Sequence, residues 1–398
     1  MQLKDFFVDL HVHIGRTSAG KQVKYASAAS LTFENIAHEC LVRKGIDVVG
    51  IVDCASPGVI SDIRDLISRG EAREIPEGGI LYRNKLCIIP GSEIETTEFS
   101  ETGHCAGHCI NFFKTVNDIE KFSERMRNFI KNINLSSQKA RISAKELQII
   151  VEEFGGIHIP AHAFTPHKSY YGNCTDRLIK IYEKEGFDRI LAVELGLSAD
   201  TYLADQISEL RDKTFLSNSD AHSLPKIARE YNLIEMESPS FSELVMALKR
   251  ENGRRIKANY GLNPKLGKYH RTFCEACNEK VEGELPVKTC AKCDSRNVVM
   301  GVLDRIEIIK DNPSGSPAHR PPYINQIPLE YIPKLGEKSI NRLLEHFDTE
   351  MNILHYTNKV QLENIVSPDI AESIIKAREG KLEIEEGGGG LYGRVIKN

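Results

Sequence analysis

The chain has 398 residues, 41% apolar and 27% charged, with 52 Lys and Arg against 56 Asp and Glu for a net charge of −4. That length exceeds the ~100–200 residues of one ordinary domain, so two or three are expected, and the composition excludes a mainly disordered chain. The balanced charge excludes a polybasic coating protein, and no run reaches the ~20 apolar residues of a membrane span.

The first residues, MQLKDFFVDLHVH, lack a basic stretch leading into a long apolar run, so no secretory signal is expected. A cytoplasmic, reducing setting follows for the ten Cys, where clusters read as metal ligands before disulfides. Strand-like runs then come at 6–13, 47–53, 86–94, 108–113, 156–162, 189–195 and 213–220. Amphipathic stretches such as 31–45 and 143–155 separate them, with apolar residues at three- and four-residue spacing. Ser143 with Glu146 makes a capping box at the start of the second, and His38 reads as a packed residue of the first. Seven strands alternating with helices imply a parallel sheet with crossover helices, either doubly wound or closed into a barrel.

From Lys249 to Arg271 eight basic residues face one acid, Glu251. Two Cys pairs follow, then the Pro-rich stretch DNPSGSPAHRPP, then short helices with turns, and a GGGG tail expected to be flexible. The expected divisions are 1–250, a basic segment with Cys module at 251–310, a linker at 311–325, a helical unit at 326–385 and a Gly-rich tail at 386–398.

Polar residues fall where chemistry would need them. Asp9, His11 and His13 alternate along the first strand, so all three side chains share a face. Later strands end in ligand types: Asp53 and Cys54, Glu93, His162, Glu194, Asp220 and His222, while His108 begins its strand. Sites of parallel α/β folds form where strand carboxyl ends converge. Mixed imidazole and carboxylate ligands suit Zn²⁺, Mn²⁺ or Fe²⁺ better than Ca²⁺ or Mg²⁺ alone, and so many imply more than one ion. Paired ions suit phosphoester cleavage by activated water. No phosphate-binding loop or dinucleotide fingerprint occurs. His104 and His158 are not expected to ligate, and Cys54 is either a soft ligand or a buried apolar residue.

Cys274, Cys277, Cys290 and Cys293 form two Cys-x-x-Cys knuckles twelve residues apart, the pattern of a closed, structural zinc site with four thiolate ligands. Residues 332–347 and 361–380 look like a helix–hairpin–helix pair, whose hairpin amides can meet a nucleic-acid phosphate; Pro333-Lys-Leu-Gly336 fits the first hairpin, whereas Val366-Ser-Pro-Asp369 lacks its Gly.

DLHVH (9–13), IVD (51–53), GSEIE (91–95), His108, PAH (160–162) and SDAH (219–222) resemble the PHP phosphoesterase superfamily, in its motif order. The resemblance implies a distorted barrel of seven strands and helices. It implies metal ligands His11, His13, Glu93, His108, His162, Asp220 and His222, with Glu93, Asp220 and His222 catalytic. Cys54 stands where the family often has His, and the extra His after the first motif is missing from GRTSAGK, which weakens the ligand set of one ion. Two or three catalytic divalent ions (Zn, Mn or Mg) and one structural Zn are thus implied.

The order of PHP domain, basic segment, zinc ribbon and helix–hairpin–helix tail resembles the endonuclease Q family. That resemblance implies a DNA-repair nuclease cutting 5′ to uracil, hypoxanthine, xanthine and abasic sites, with a replication clamp as a further partner and no membrane. A small-molecule phosphatase of the histidinol-phosphate type is the alternative, followed by a binding protein with a degenerate site. For DNA contact the candidates are Arg16 and Lys21 in the first loop, with Lys24 beside them. Lys168, Tyr170 and Tyr171 follow His162 with Phe164 and His167, as a wall for an extruded base. Arg254, Arg255 and Lys257 are the candidates of the basic segment.

Overall fold

The computed structural model describes residues 2–100, 103–281 and 283–396. Its centre is the distorted barrel implied by the family resemblance. Strand β1 (Lys4–Val12) lies parallel to β2 (Val48–Ile51), and β2 parallel to β3 (Leu86–Glu95). All four residues of β2 are buried, as a Val/Ile run covered on both faces requires. Beyond β3 come β4 (His108–Phe112) and β5 (Ile157–Pro160), then β6 (Ala192–Glu194) parallel to β7 (Thr214–Leu216). Closure uses single hydrogen bonds. Ala163 N donates to Glu194 O, while His13 N donates to Ala221 O and Ala221 N to His11 O.

The all-parallel expectation needs correction at β4. This strand is antiparallel to both neighbours, with Glu95 opposite His108 and Cys109 opposite Pro160. Its connection from β3 is a hairpin extension rather than a crossover helix, and a hairpin reverses direction. The reversal puts the first residue of β4 at the same rim as the last residues of β3.

The sheet also continues past β1. Strand β8 (Tyr231–Met236) runs antiparallel to β1, β9 (Arg255–Gly261) antiparallel to β8, and β10 (Tyr323–Asn325) parallel to β9. The division expected at 250 therefore falls inside one sheet, and Arg255–Gly261 of the basic segment is a strand. The Pro-rich stretch is docked too. Arg320 is buried against Asp205 at 2.7 Å, its guanidinium 3.6 Å from the centre of the Phe215 ring.

Helix α1 (Phe33–His38) is capped by Thr32, and α2 (Ala144–Glu153) carries the capping box that Ser143 and Glu146 predict. His38 ends α1 exposed, not packed. The C-terminal unit has α3 (Glu337–Phe347) after the 332–336 hairpin, then α4 (Lys359–Glu363) and α5 (Pro368–Arg378). It docks on the barrel through Glu350, which meets Lys44 at 3.0 Å and Arg43 at 3.3 Å. One apolar cluster runs from Val12 and Ile51 in the barrel to Leu343 and Ile374, so the two parts share a core.

The Gly-rich tail is ordered packing rather than a free end. Gly387 N donates to Lys265 O and Gly390 N to Lys268 O, and Ile384–Glu385 pairs with Arg394–Val395. Gly389 has φ +62°, and a Cβ there would stand 2.1 Å from the Phe273 ring, so no side chain fits. Cys105 and Cys174, which no spacing singled out, form a disulfide with Cα atoms 5.5 Å apart. Among the described residues no helix is long and apolar enough to cross a membrane.

Candidate metal centre and adjoining cavity

All seven implied ligands meet at one rim of the barrel. Three trios each bring one ligand atom per residue within 4.8 Å of one another: His11 with His13 and Glu93; His13 with Asp220 and His222; Glu93 with His108 and His162. Period-two alternation puts His11 and His13 on the inner face of β1. The reversal of β4 delivers His108 to Glu93, Nδ1 lying 2.8 Å from Oε1. His162 and Asp220 reach the rim on left-handed backbone, φ +29° and +45°. Such conformations cost roughly 1–3 kcal/mol in non-glycine residues and gather at functional sites.

A second layer sets the tautomers. His11 Nδ1 donates to Glu194 at 2.9 Å, and His13 Nδ1 donates to Asp53 at 3.1 Å. Both Nε2 atoms then carry lone pairs, and they face each other at 3.1 Å. Asp220 Oδ1 stands 3.6 Å from His11 Nε2 and 3.4 Å from His13 Nε2. Converging lone pairs and carboxylates repel unless a cation lies among them, and carboxylate-backed imidazoles are the usual ligands of catalytic metals. The donor set therefore fits divalent ions. Glu194 also accepts from Asn218 and from the His162 amide, so one carboxylate orients two strands' ligands.

The carboxylates of the centre are held ionised. Burial would raise the Glu93 carboxyl, but His108, Lys24 and His13 outweigh it and hold it well below the usual carboxylate range. For Asp220, too, burial opposes ionisation; the neighbouring His13, His11 and His222 prevail, keeping it well below. Burial, then His13, draws His222 down to about 4, so its ring is neutral and able to ligate.

Other sequence candidates separate clearly. Asp9 accepts from the Ser219 and Ala228 amides and pins that loop instead of facing the trios. Cys54 is fully buried in the apolar core, where burial pushes its thiol up. His158 is buried, held by Asn111 and Tyr182, and drawn down to about 3 by burial; His104 is exposed. Three further residues belong to the centre without any motif to mark them. Lys24, Ser136 and Ser137 enter it from two loops, Ser136 donating to Asp53 and Ser137 to Glu93. Only their shared approach in space marks the serines.

A cavity of about 140 Å³ opens beside the centre, lined by His108, His162, His167, Lys168, Asp220, Lys268, Tyr269 and Tyr392 among others. Lys168 pairs with Glu95 at 2.8 Å, and Lys268 stands 4.9 Å from the Tyr269 ring centre. Arg229 donates to the Tyr392 hydroxyl at 3.1 Å. Lys268, Tyr269 and Tyr392 come from distant sequence and carry no motif. Tyr170 and Tyr171, by contrast, are fully buried; their hydroxyls bond to Thr96 and Glu209, and Phe164 stacks on Tyr171. These rings cannot reach a base; of that loop Thr165, His167 and Lys168 face the cavity. Arg16 and Lys21 are exposed on the first loop.

Arg254, Arg255 and Lys257 of the basic segment lie elsewhere. Arg255 pairs with Glu235 at 3.0 Å, Lys257 with Asp5 at 2.7 Å, and Arg254 with Glu237 and Glu243 at 2.9 and 3.0 Å. Asp5 opens β1 and His11 nearly closes it, so this patch is about 20 Å from the centre at ~3.3 Å per residue. Neutralised and at the opposite rim, Arg254, Arg255 and Lys257 do not form part of the site.

In the Cys module, Sγ atoms of Cys274 and Cys293 are 3.6 Å apart, as are those of Cys277 and Cys290. Thiolates ~2.3 Å from a tetrahedral zinc stand about 3.8 Å apart, so the four fit that ion. Short strands Phe273–Cys274, Glu279–Lys280 and Val298–Val299 form the surrounding three-stranded ribbon.

Comparison with known proteins adds lineage to this geometry. Residues 201–252 match a family model described as PHP-associated. The uncharacterized protein YqxK of Bacillus subtilis is 44% identical over 99% of this chain and 100% of its own length. A solved lesion-specific endonuclease, PfuEndoQ from Pyrococcus furiosus, is 31% identical with a TM-score of 0.83, covering 98% of this chain and 95% of that one. A structure of endonuclease Q with a 27-mer duplex carrying an abasic lesion at the active site is 30% identical with a TM-score of 0.84, over 99% of this chain and 97% of that one.

Proposed function

The chain belongs to the endonuclease Q family, and on that premise we propose that it is a DNA-repair endonuclease. It hydrolyses the phosphodiester 5′ of uracil, hypoxanthine and xanthine, and of abasic sites, leaving a 3′-hydroxyl and a lesion-bearing 5′-phosphate. The observation that carries this reading is one juxtaposition: seven convergent ligand residues open directly onto a cavity walled by lysine and tyrosine. The solved relative with an abasic duplex at its active site supports DNA as the substrate.

In this reading His11, His13, Glu93, His108, His162, Asp220 and His222 hold two or three divalent ions. When bound, such ions make a water acidic enough to attack near neutral pH and neutralise charge on the phosphate. The chain's own groups do the positioning. Glu194 and Asp53 fix the two imidazoles of β1. Asp220, whose side chain is 32% exposed and lines the cavity, orients the attacking water through a carboxylate oxygen. Tyr269 and Tyr392 offer ring faces to an extruded base, and Lys168 and Lys268 offer charge to its flanking phosphates.

Uracil and hypoxanthine share a ring carbonyl beside a ring N–H. A donor and an acceptor facing that edge would accept both and leave buried partners unpaired with cytosine or adenine, at roughly 1–3 kcal/mol each. Thymine has the same edge and is refused by its methyl group or by the harder extrusion of a paired base. The test is cleavage of otherwise identical oligonucleotides. Uracil and hypoxanthine are expected to be cut at comparable rates and thymine spared. Equal cutting of thymine DNA would sink lesion recognition, and turnover of histidinol phosphate in place of DNA would establish the phosphatase alternative. That alternative gives no role to Lys268, Tyr269 and Tyr392, which the C-terminal half brings to the cavity wall.

A further inference from the structure

Arg229 lies just before β8, is buried, and uses all three side-chain nitrogens on two separate parts of the site. Nε donates to the Ser219 carbonyl at 2.7 Å, and Nη2 donates to the Asp220 carbonyl at 3.2 Å. Nη1 donates to the Tyr392 hydroxyl at 3.1 Å. One planar guanidinium therefore touches both the turn that carries Asp220 and His222 and the distant tail that walls the cavity.

The Asp220 turn needs such holding. Its left-handed backbone, φ +45°, persists only where surrounding contacts over-determine it. Asp9 supplies one set of contacts, accepting from the Ser219 amide at 3.0 Å and the Ala228 amide at 2.9 Å, which staples the two segments together. Arg229 supplies another through the carbonyls of Ser219 and Asp220. The Asp220 carbonyl also accepts from His222 Nδ1 at 3.0 Å. That bond leaves the lone pair of the His222 ring on Nε2, free for a cation. A single carbonyl thus sets the aim of two ligands, and Arg229 holds that carbonyl.

We propose that Arg229 is a positioning residue that ties the Asp220–His222 edge of the centre to the Tyr392 wall of the cavity, so that the metal ligands and the ring offered to an extruded base are set together. A planar fork reaches two carbonyls and a hydroxyl at once, whereas a lysine ammonium is a single point of charge that can keep the carbonyls but not the hydroxyl as well. The base-facing half of the proposal rests on the reading of the site as a lesion nuclease; the ligand-facing half is tested without substrate.

The full chain, with zinc left in the ribbon, is titrated with Mn²⁺ as the unaltered protein, Arg229→Ala and Arg229→Lys, with free ion read by electron paramagnetic resonance. Arg229→Ala should bind Mn²⁺ at the centre about 10-fold more weakly, the scale of losing a group that orients metal ligands, and Arg229→Lys should recover most of that loss. In cleavage assays Arg229→Ala should lose about 10- to 100-fold in kcat on uracil and abasic duplexes alike. Its KM should rise about 5-fold for uracil DNA and stay within about 2-fold for abasic DNA, which has no base for Tyr392 to meet. Arg229→Lys should regain kcat and keep the raised uracil KM. Tyr392→Phe, which keeps the ring and removes the hydroxyl, should raise the uracil KM as Arg229→Lys does, and the two together should raise it no further.

A general loss of folded protein would lower kcat equally on both lesions and move neither KM, and thermal midpoint serves as the folding control. Should Arg229→Ala fail to fold, Arg229→Lys and Tyr392→Phe carry the KM comparison. Mn²⁺ affinity of folded Arg229→Ala within about 2-fold of the parent would overturn the tie to the ligands. A uracil KM that does not move in Arg229→Lys, or that moves together with the abasic one, would overturn the tie to the wall. If the Mn²⁺ result holds while the unaltered protein cuts no lesion DNA, the nuclease reading fails and the positioning of Asp220 and His222 stands.

Discussion

Strand β1 carries charge at both of its ends and uses it in opposite ways. At its carboxyl end His11 and His13 meet Glu93 and Asp220, with their Nε2 atoms 3.1 Å apart. At its amino end Asp5 meets Lys257 at 2.7 Å, and on the neighbouring strand Glu235 meets Arg255 at 3.0 Å. Arg255 sits across a strand pair from its acid and Lys257 reaches over the strand between to Asp5, an arrangement that stabilises the sheet and leaves little free charge for a ligand. The rim proposed to bind is the one where like groups converge, and at the rim rich in arginine the cations are paired with acids. A basic run in a sequence is therefore no measure of a basic surface.

Three changes would break or sharpen this contrast. Removing a ligand at the convergent rim should have the largest effect. Asp220→Ala is expected to cut turnover on the order of 10³-fold, with folding and DNA affinity largely kept; near-parental turnover by fully metallated protein would remove Asp220 from the chemistry.

Cys277→Ser comes next. Structural zinc free energy is largely folding free energy, so metal analysis should show one zinc lost while the ions of the centre persist. Because the Gly387–Tyr392 turn packs on the ribbon through Gly389 and Phe273, the cavity wall should loosen as well. An increase in KM of about 10-fold, equivalent to ~1.4 kcal/mol of lost contact, with a smaller change in kcat is the expected signature. An unchanged zinc content would show that these four Cys do not share an ion.

The smallest effect belongs to the opposite rim. Neutralising Arg254, Arg255 and Lys257 together should leave DNA affinity within about 2-fold and the slope of log K against log salt unaltered. If all three touched phosphates, the slope would fall by roughly 0.9 per contact, and that outcome would place DNA at both ends of the barrel.

Much of the centre was legible in the chain because it depends on local rules. Alternation on a strand puts His11 and His13 on one face whatever surrounds them. Two Cys-x-x-Cys turns present four thiols by their own geometry. Ser143 and Glu146 cap α2 across three residues. The seven strand-like runs left a doubly wound sheet and a barrel both open; the barrel and the seven ligands were implied by the motifs' resemblance to the PHP superfamily.

The remainder was decided by residues far apart in sequence. Lys257 is neutralised by Asp5, 252 positions away. Tyr170 and Tyr171 look like a ready base platform, yet Thr96 and Glu209 take their hydroxyls into the core. The GGGG run reads as a free end, yet Phe273 fills the space a side chain would need. Lys24 reads, with Arg16 and Lys21, as a loop cation suited to a phosphate until Glu93, Ser137 and His13 close around it. Periodicity, capping and turn geometry act over a few residues and so are written locally. Burial, charge pairing and the partners of a reaching side chain depend on which strands the closed barrel sets side by side, and only the assembled fold determines that.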